Sequence, residues 1–202
     1  MSRIAIVDYG VGNLHSIVNA MDYIGLKTCI TGDAKELERA DAVILPGVGA
    51  FPDAANKLRN TGLDQTLRTQ SAQKPVLGIC LGMQLLFHGS EEICPTRGLG
   101  LISGWVDKIP TDHKLPHIGW NSLTFENNSP IFQGLNDGVY VYFVHSFCGL
   151  VQHAEHVTAR TDYGTSVVAA VGRGNVFGCQ FHPEKSGEVG LQILRNFGAL
   201  NR

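Results

Sequence analysis

The sequence predicts an α/β protein with a mostly parallel, doubly wound central sheet, helices on both faces, and additional antiparallel strands in the C-terminal half. Three observations carry this reading. Apolar runs of strand length alternate with segments of helical apolar spacing as far as Phe87. After Phe87 the long helical patterns give way to short strand-like runs parted by turn residues. The chain has 202 residues, 44% apolar and 17% charged, which suits one domain with a sizeable core over residues 1–202.

The elements follow in order. Residues 3–8 form a buried strand closed by Asp8, and Tyr9-Gly10-Val11-Gly12-Asn13 is the turn after it. Leu14, Ile17, Val18, Met21 and Ile24 recur at helical spacing, with Gly25 placed to end that helix. Residues 27–31 are a second strand, and Asp33 with Glu36 makes a capping-box-like start to a short helix. Residues 41–45 are a third strand, followed by helical segments over 53–73 that break near Gly62. Residues 75–79 are a fourth, leading into a helical segment with Leu81, Leu85 and Leu86. In such sheets reactive groups gather beyond the carboxyl ends of the strands, so the 9–13 turn, the 46–49 turn and Cys80 share one rim. Later strands are expected at 98–109, 119–125, 139–143, 157–160, 166–171 and 176–181. A closing helix over 189–200 packs through Leu191, Leu194 and Phe197.

Bulk properties exclude several classes. A net charge of −2 offers no broad basic field to nucleic acid. Five cysteines (29, 80, 94, 148 and 179), with no C-x-x-C spacing, argue against a disulfide framework and a zinc knuckle and favour a reduced, cytoplasmic setting. The N-terminus does not read as a signal peptide, and the apolar stretch 139–151 is too short and too polar to span a membrane.

The chemistry centres on Gly78-Ile79-Cys80-Leu81-Gly82. A strand ending in a cysteine between two glycines, with a helix beginning directly after it, is a nucleophile elbow with Cys in place of Ser. Small neighbours let strand and helix approach around a strained nucleophile, and a helix N-terminus favours thiolate. Taken alone, such a stretch could also be a core cysteine between turn glycines. The 46–51 turn, Pro46-Gly47-Val48-Gly49-Ala50-Phe51, leaves backbone N–H groups free beside it. One oxyanion donor would be the N–H of Leu81 and another an N–H of Gly47, Val48 or Gly49; the other reading is a plain glycine-rich turn. His182 and Glu184, two apart in an extended segment held by Pro183, can face one side as base and orienter. The order Cys, His, Glu differs from that of α/β-hydrolases.

Gly78 to Gln84 together with His182-Pro183-Glu184 resembles the class I, triad-type glutamine amidotransferases. Five segments (8–14, 46–51, 116–121, 142–146 and 181–187) resemble, more narrowly, the glutaminase subunits of imidazole glycerol phosphate synthase in histidine biosynthesis, and the match runs over nearly the whole chain. The resemblance implies a flavodoxin-like glutamine amidotransferase type-1 domain over residues 1–202. It implies that Cys80 attacks the side-chain amide of L-glutamine, that His182 protonates the leaving ammonia, that Glu184 orients His182, and that water hydrolyses the thioester. Ammonia would pass to a (β/α)₈-barrel cyclase subunit in a heterodimer, yielding imidazole glycerol phosphate and an aminoimidazole carboxamide ribotide, with no metal or organic cofactor in this chain. By the same likeness Gln84, Glu92, His145 and Ser146 hold the substrate. Glu92 could equally be a solvated charge, and His145 a core histidine. Asn13, Trp120 and Lys185 are candidate partner contacts, with a core position the alternative for Trp120, and His117 is expected on that same face. Three other functions remain open: a related subunit feeding a different synthase, such as one making amidino sugars; a stand-alone cysteine amidohydrolase; and a glutaminase-like subunit that only regulates or scaffolds, against which the intact Cys80, His182 and Glu184 count.

Overall fold

The computed structural model describes residues 3–200. Its first parallel strands are short: β1 (Arg3–Val7), β2 (Lys27–Thr31), β3 (Ala42–Leu45) and β4 (Val76–Ile79), of which β3 and β4 are wholly apolar. Between them lie α1 (Leu14–Tyr23), α2 (Ala34–Arg39), α3 (Phe51–Asn60) and α4 (Leu63–Gln70). Asp33 caps α2 by accepting from the Lys35 N–H. Gly62, with φ of +73°, makes the break between α3 and α4.

After α5 (Leu81–Leu85) come β5 (Gly89–Ser90), β6 (Thr96–Arg97), β7 (Gly104–Lys108), β8 (His117–Ser122), β9 (Thr124–Phe125), β10 (Tyr140–His145) and β11 (Phe147–Val151). The chain closes with β12 (Val157–Asp162), β13 (Ser166–Arg173), β14 (Val176–Cys179) and α6 (Gly187–Ala199). The main sheet has eight strands in the order β2-β1-β3-β4-β14-β13-β12-β9. The first five run parallel and the last three are added antiparallel, as expected. Strand alternation splits the core between the two faces. Ala5 and Val7 pack with Leu37, Leu58 and Leu67 on one side; Ile4 and Ile6 pack with Ile17, Met21, Ile193 and Phe197 on the other. Both faces are therefore covered by helices.

Two small sheets lie over the catalytic rim: β10 paired with β8, and β11-β7-β5-β6. The continuous strand expected over 98–109 is shorter. Residues 98–102 instead give backbone N–H groups to carbonyls at the end of α5, for example Leu99 to Leu85 and Leu101 to Leu86. Those contacts satisfy the backbone without a ladder. The segment after β14 also differs from expectation. Residues 183–185 are a 3₁₀ turn, with Lys185 N–H bonded to the His182 carbonyl, because Pro183 takes the first turn position where no N–H is needed. No described helix is long and apolar enough to cross a membrane.

Candidate active site

Cys80 stands between β4 and α5 at φ +55°, ψ −114°, one of two non-glycine residues with positive φ among those described. Sterics of the turn explain its glycines. A Cβ on Gly82 would overlap the Leu45 carbonyl oxygen, and one on Gly78 would lie 2.6 Å from the Gly82 oxygen. A Cβ on Gly47 would fall 2.8 Å from the Gly82 nitrogen, so the turn after β3 packs directly on the elbow. Tyr9, buried, donates its hydroxyl to the Pro46 carbonyl at 2.8 Å and anchors the start of that turn. Glu92 accepts from the Phe51 N–H at 2.8 Å and anchors its far end, at the positive terminus of α3.

His182 follows β14 and is held at three points. Its N–H bonds to the Tyr142 carbonyl, its own carbonyl accepts from the Ser186 hydroxyl at 2.6 Å, and Nδ1 lies 2.7 Å from Glu184 Oε1. The 3₁₀ turn, rather than an extended strand, brings His182 and Glu184 together. With Nδ1–H committed to the carboxylate, Nε2 is the nitrogen left for chemistry, and it is buried with no partner among the described residues. Burial opposes protonation of this ring, but the neighbouring Cys80 sulfur and the Glu184 carboxylate outweigh it and push its pKa up to about 9.

These groups open onto a cavity of about 330 Å³ lined by Val48, Gly49, Cys80, Leu81, Gln84, Glu92, Pro116, Val144, His145, Ser146, Phe147 and His182. That size suits a free amino acid. All four expected substrate residues reach it, as do Val48, Gly49 and Leu81 of the expected oxyanion hole. Gly47 lies behind, in a crevice with Asn13, His182 and Glu184. Cys80 is the only cysteine on the cavity. Burial pushes the Cys148 thiol up to about 11 and the Cys179 thiol higher still, away from thiolate.

His145 is both a cavity residue and a core histidine. Asn121 donates to the Asp162 carbonyl at 2.7 Å and accepts from the Ser122 N–H, which sets its amide. Its nitrogen then faces His117 Nε2, His117 Nδ1 faces His145 Nε2 at 3.2 Å, and His145 Nδ1–H donates to the Phe147 carbonyl at 2.8 Å. The chain has one self-consistent set of tautomers with both rings neutral. Burial lowers the His145 pKa to about 4 and lowers that of His117 as well.

This overturns the expectation that His117 lies on a partner face. His117 is 2% exposed, stacked between Phe143 and Tyr163, because it occupies the inward register of β8. The outward register carries Ile118 and Trp120, 58% and 55% exposed, opposite Val144 and Tyr142 of β10. Trp120 is therefore not a core residue. Lys185 is exposed, with its ammonium 6.0 Å from the centre of the Tyr142 ring. Asn13 is exposed at the start of α1.

Sequence reasoning missed Tyr9, Ser186 and Gln180 as parts of this site. Gln180 had a readable signal, being the lone polar residue in the buried run from Val176 to Phe181 and two residues before His182.

The chain has relatives over nearly its whole length. The family model for class-I glutamine amidotransferases matches residues 5–199. The imidazole glycerol phosphate synthase subunit HisH of Caldanaerobacter subterraneus is 50% identical over 198 residues, covering 98% of each chain. That of Bacillus cereus is 51% identical over 195 residues, covering 96% of this chain and 93% of its own. Among solved structures, PurLQS from Thermotoga maritima shares the fold at TM-score 0.77 and 22% identity, covering 97% of each chain.

Proposed function

This chain belongs to the class-I glutamine amidotransferases and, within them, to the HisH subunits of imidazole glycerol phosphate synthase; from that premise we propose that Cys80, His182 and Glu184 form its glutaminase triad. The observation that carries the reading is the His182–Glu184 contact of 2.7 Å, with His182 and the strained Cys80 lining one cavity.

The reaction follows from the geometry. His182 Nε2 takes the thiol proton, and the sulfur attacks the side-chain amide carbon of L-glutamine. Backbone N–H groups of Leu81 and of the 47–49 turn hold the resulting oxyanion. His182 returns the proton to the departing ammonia, leaving a γ-glutamyl thioester. Water, deprotonated by the same ring, releases glutamate and frees the sulfur. Glu92 keeps one carboxylate oxygen on the Phe51 N–H, so its other oxygen is the one offered to the substrate ammonium. Ser146 and the adjacent backbone receive the substrate carboxylate.

Ammonia then passes to a (β/α)₈-barrel cyclase subunit that makes imidazole glycerol phosphate, in the cytoplasm, in a heterodimer. The outward face of β8 and β10, with Ile118, Trp120, Tyr140 and Tyr142 flanked by Lys185, has the aromatic and cationic character of an interface anchor. Asn13 lies on the same rim. The test is Cys80→Ala paired with the cyclase. Glutamine hydrolysis is abolished, while synthesis driven by added ammonium salt persists. Retained hydrolysis would remove Cys80 from its role, and full-rate hydrolysis by the unaltered chain without partner would favour a stand-alone amidohydrolase.

A further inference from the structure

Gln180 directly follows β14, is 0% exposed, and takes no part in the reaction described above. A buried carboxamide must find partners for its oxygen and its two N–H groups. Its orientation follows from one fixed reference. The Phe147 carbonyl can only accept, so the Gln84 atom 3.0 Å from it is the amide nitrogen. That nitrogen is also 3.0 Å from the Gln180 side chain, which must present its oxygen there. The Gln180 nitrogen is then the atom turned toward the Cys80 sulfur, 3.9 Å away. One backbone carbonyl thus sets two buried amides in series, and the series ends with a donor on the nucleophile.

We propose that Gln180 is a further catalytic residue whose side-chain N–H donates to the Cys80 sulfur and stabilises it as an anion. This rests on Cys80 being the nucleophile. The separation is long for a neutral thiol, a weak acceptor, and it shortens when the sulfur carries charge. As the S–H bond breaks, the proton goes to His182 Nε2 and the electron pair stays on sulfur, where the Gln180 N–H meets it. The bond relaxes when the pair forms the C–S bond of the thioester. It forms again in the second half, when the C–S bond breaks and sulfur leaves with that pair. His182 thus manages the proton and Gln180 the charge. Because Gln180 does not line the cavity, it acts on the sulfur and not on substrate binding.

Two variants separate the roles. Gln180→Met keeps the length and removes the donor; Gln180→Glu keeps an oxygen for Gln84 and places a second oxygen at the sulfur. Alkylation of Cys80 by iodoacetamide needs no glutamine, so it reads the sulfur whether or not the glutaminase reading holds. At neutral pH, Gln180→Met should alkylate about tenfold more slowly, the loss expected for one hydrogen bond to a charged acceptor, and its pH–rate profile should move to higher pH. Gln180→Glu should be slower still. In glutamine hydrolysis both should lose kcat with little change in KM. Alkylation of Gln180→Met at the unaltered rate throughout the pH profile would overturn the proposal. Should neither variant fold, the unaltered chain decides by NMR. The Gln180 side-chain amide signal must follow the titration of the sulfur, and a signal indifferent to it overturns the assignment.

Discussion

Glu184 places Oε1 on His182 Nδ1, while its Oε2 is buried without a partner among the described residues, the arrangement of a group that orients a ring and balances its charge. Glu184→Gln keeps an acceptor for Nδ1–H and removes only the charge. Its kcat for glutamine should fall by up to about 10⁴-fold with KM little changed, short of the loss in Cys80→Ala. Steady-state kinetics of the two variants decides it, and equal losses would mean that Glu184 does more than orient. His145 and His182 also set opposite limits on stability. The folded pKa of His145, lowered by burial to about 4, lies below its ordinary 6.5, so between those values the unfolded chain binds the extra proton. Its contribution is complete above pH 6.5 and is lost as pH falls toward 4, by up to about 3 kcal/mol. His182, raised to about 9, behaves in reverse, its contribution being complete below 6.5 and lost as pH rises through 9. Urea unfolding across this range should show both slopes, and His145→Gln should flatten only the acid one. An unchanged acid slope in that variant would place the titration elsewhere.

At the scale of elements, the elbow stands on backbone touching backbone. An alanine Cβ at position 82 meets the Leu45 carbonyl, which no side-chain rotation can relieve, so Gly82→Ala should cost about 3 kcal/mol or more in urea unfolding. A variant as stable as the unaltered chain would show that the elbow can open. The first half of the fold was legible because parallel strands buried on both faces read as unbroken apolar runs, as β3 and β4 do. The second half was harder to read. Strands of two residues such as β5 and β6 show no periodicity, and residues 98–102 find their backbone partners at the end of α5. At the site, Cys80, His182 and Glu184 could be read from residue type and spacing. Ser186 and Tyr9 could not, because each acts on a main-chain carbonyl whose position only the fold defines. His117 was misplaced because one register step in a strand exchanges the buried and exposed faces.

At the scale of the whole molecule, the turn from Pro46 to Ala50 links the rim to the chemistry. It is tied at one end by Tyr9 and at the other by Glu92, with Val48 and Gly49 exposed between the ties. Gly49 sits at φ +95° with no atom within 4 Å of a Cβ built on it, so this peptide has room to turn and only conformational strain opposes a side chain there. An unregulated glutaminase would release ammonia to no purpose. The chemistry therefore favours a turn whose oxyanion donor is brought into place when the cyclase and its nucleotide engage the rim. One missing donor costs roughly 10²–10³ in kcat, enough for a deep resting state. Glutamine hydrolysis should accordingly rise by about that factor from the subunit alone to the subunit with cyclase and nucleotide. Gly49→Ala should shrink the rise while leaving association intact. Trp120→Ala, on the exposed face of β8, should weaken association and leave Cys80 alkylation unchanged. Steady-state hydrolysis by the subunit alone, with cyclase, and with cyclase and nucleotide, together with association by calorimetry and Cys80 alkylation by iodoacetamide, checks all of these. Equal rates in the absence and presence of cyclase would sink the gated turn, since the oxyanion donors would then be in place before any partner arrives.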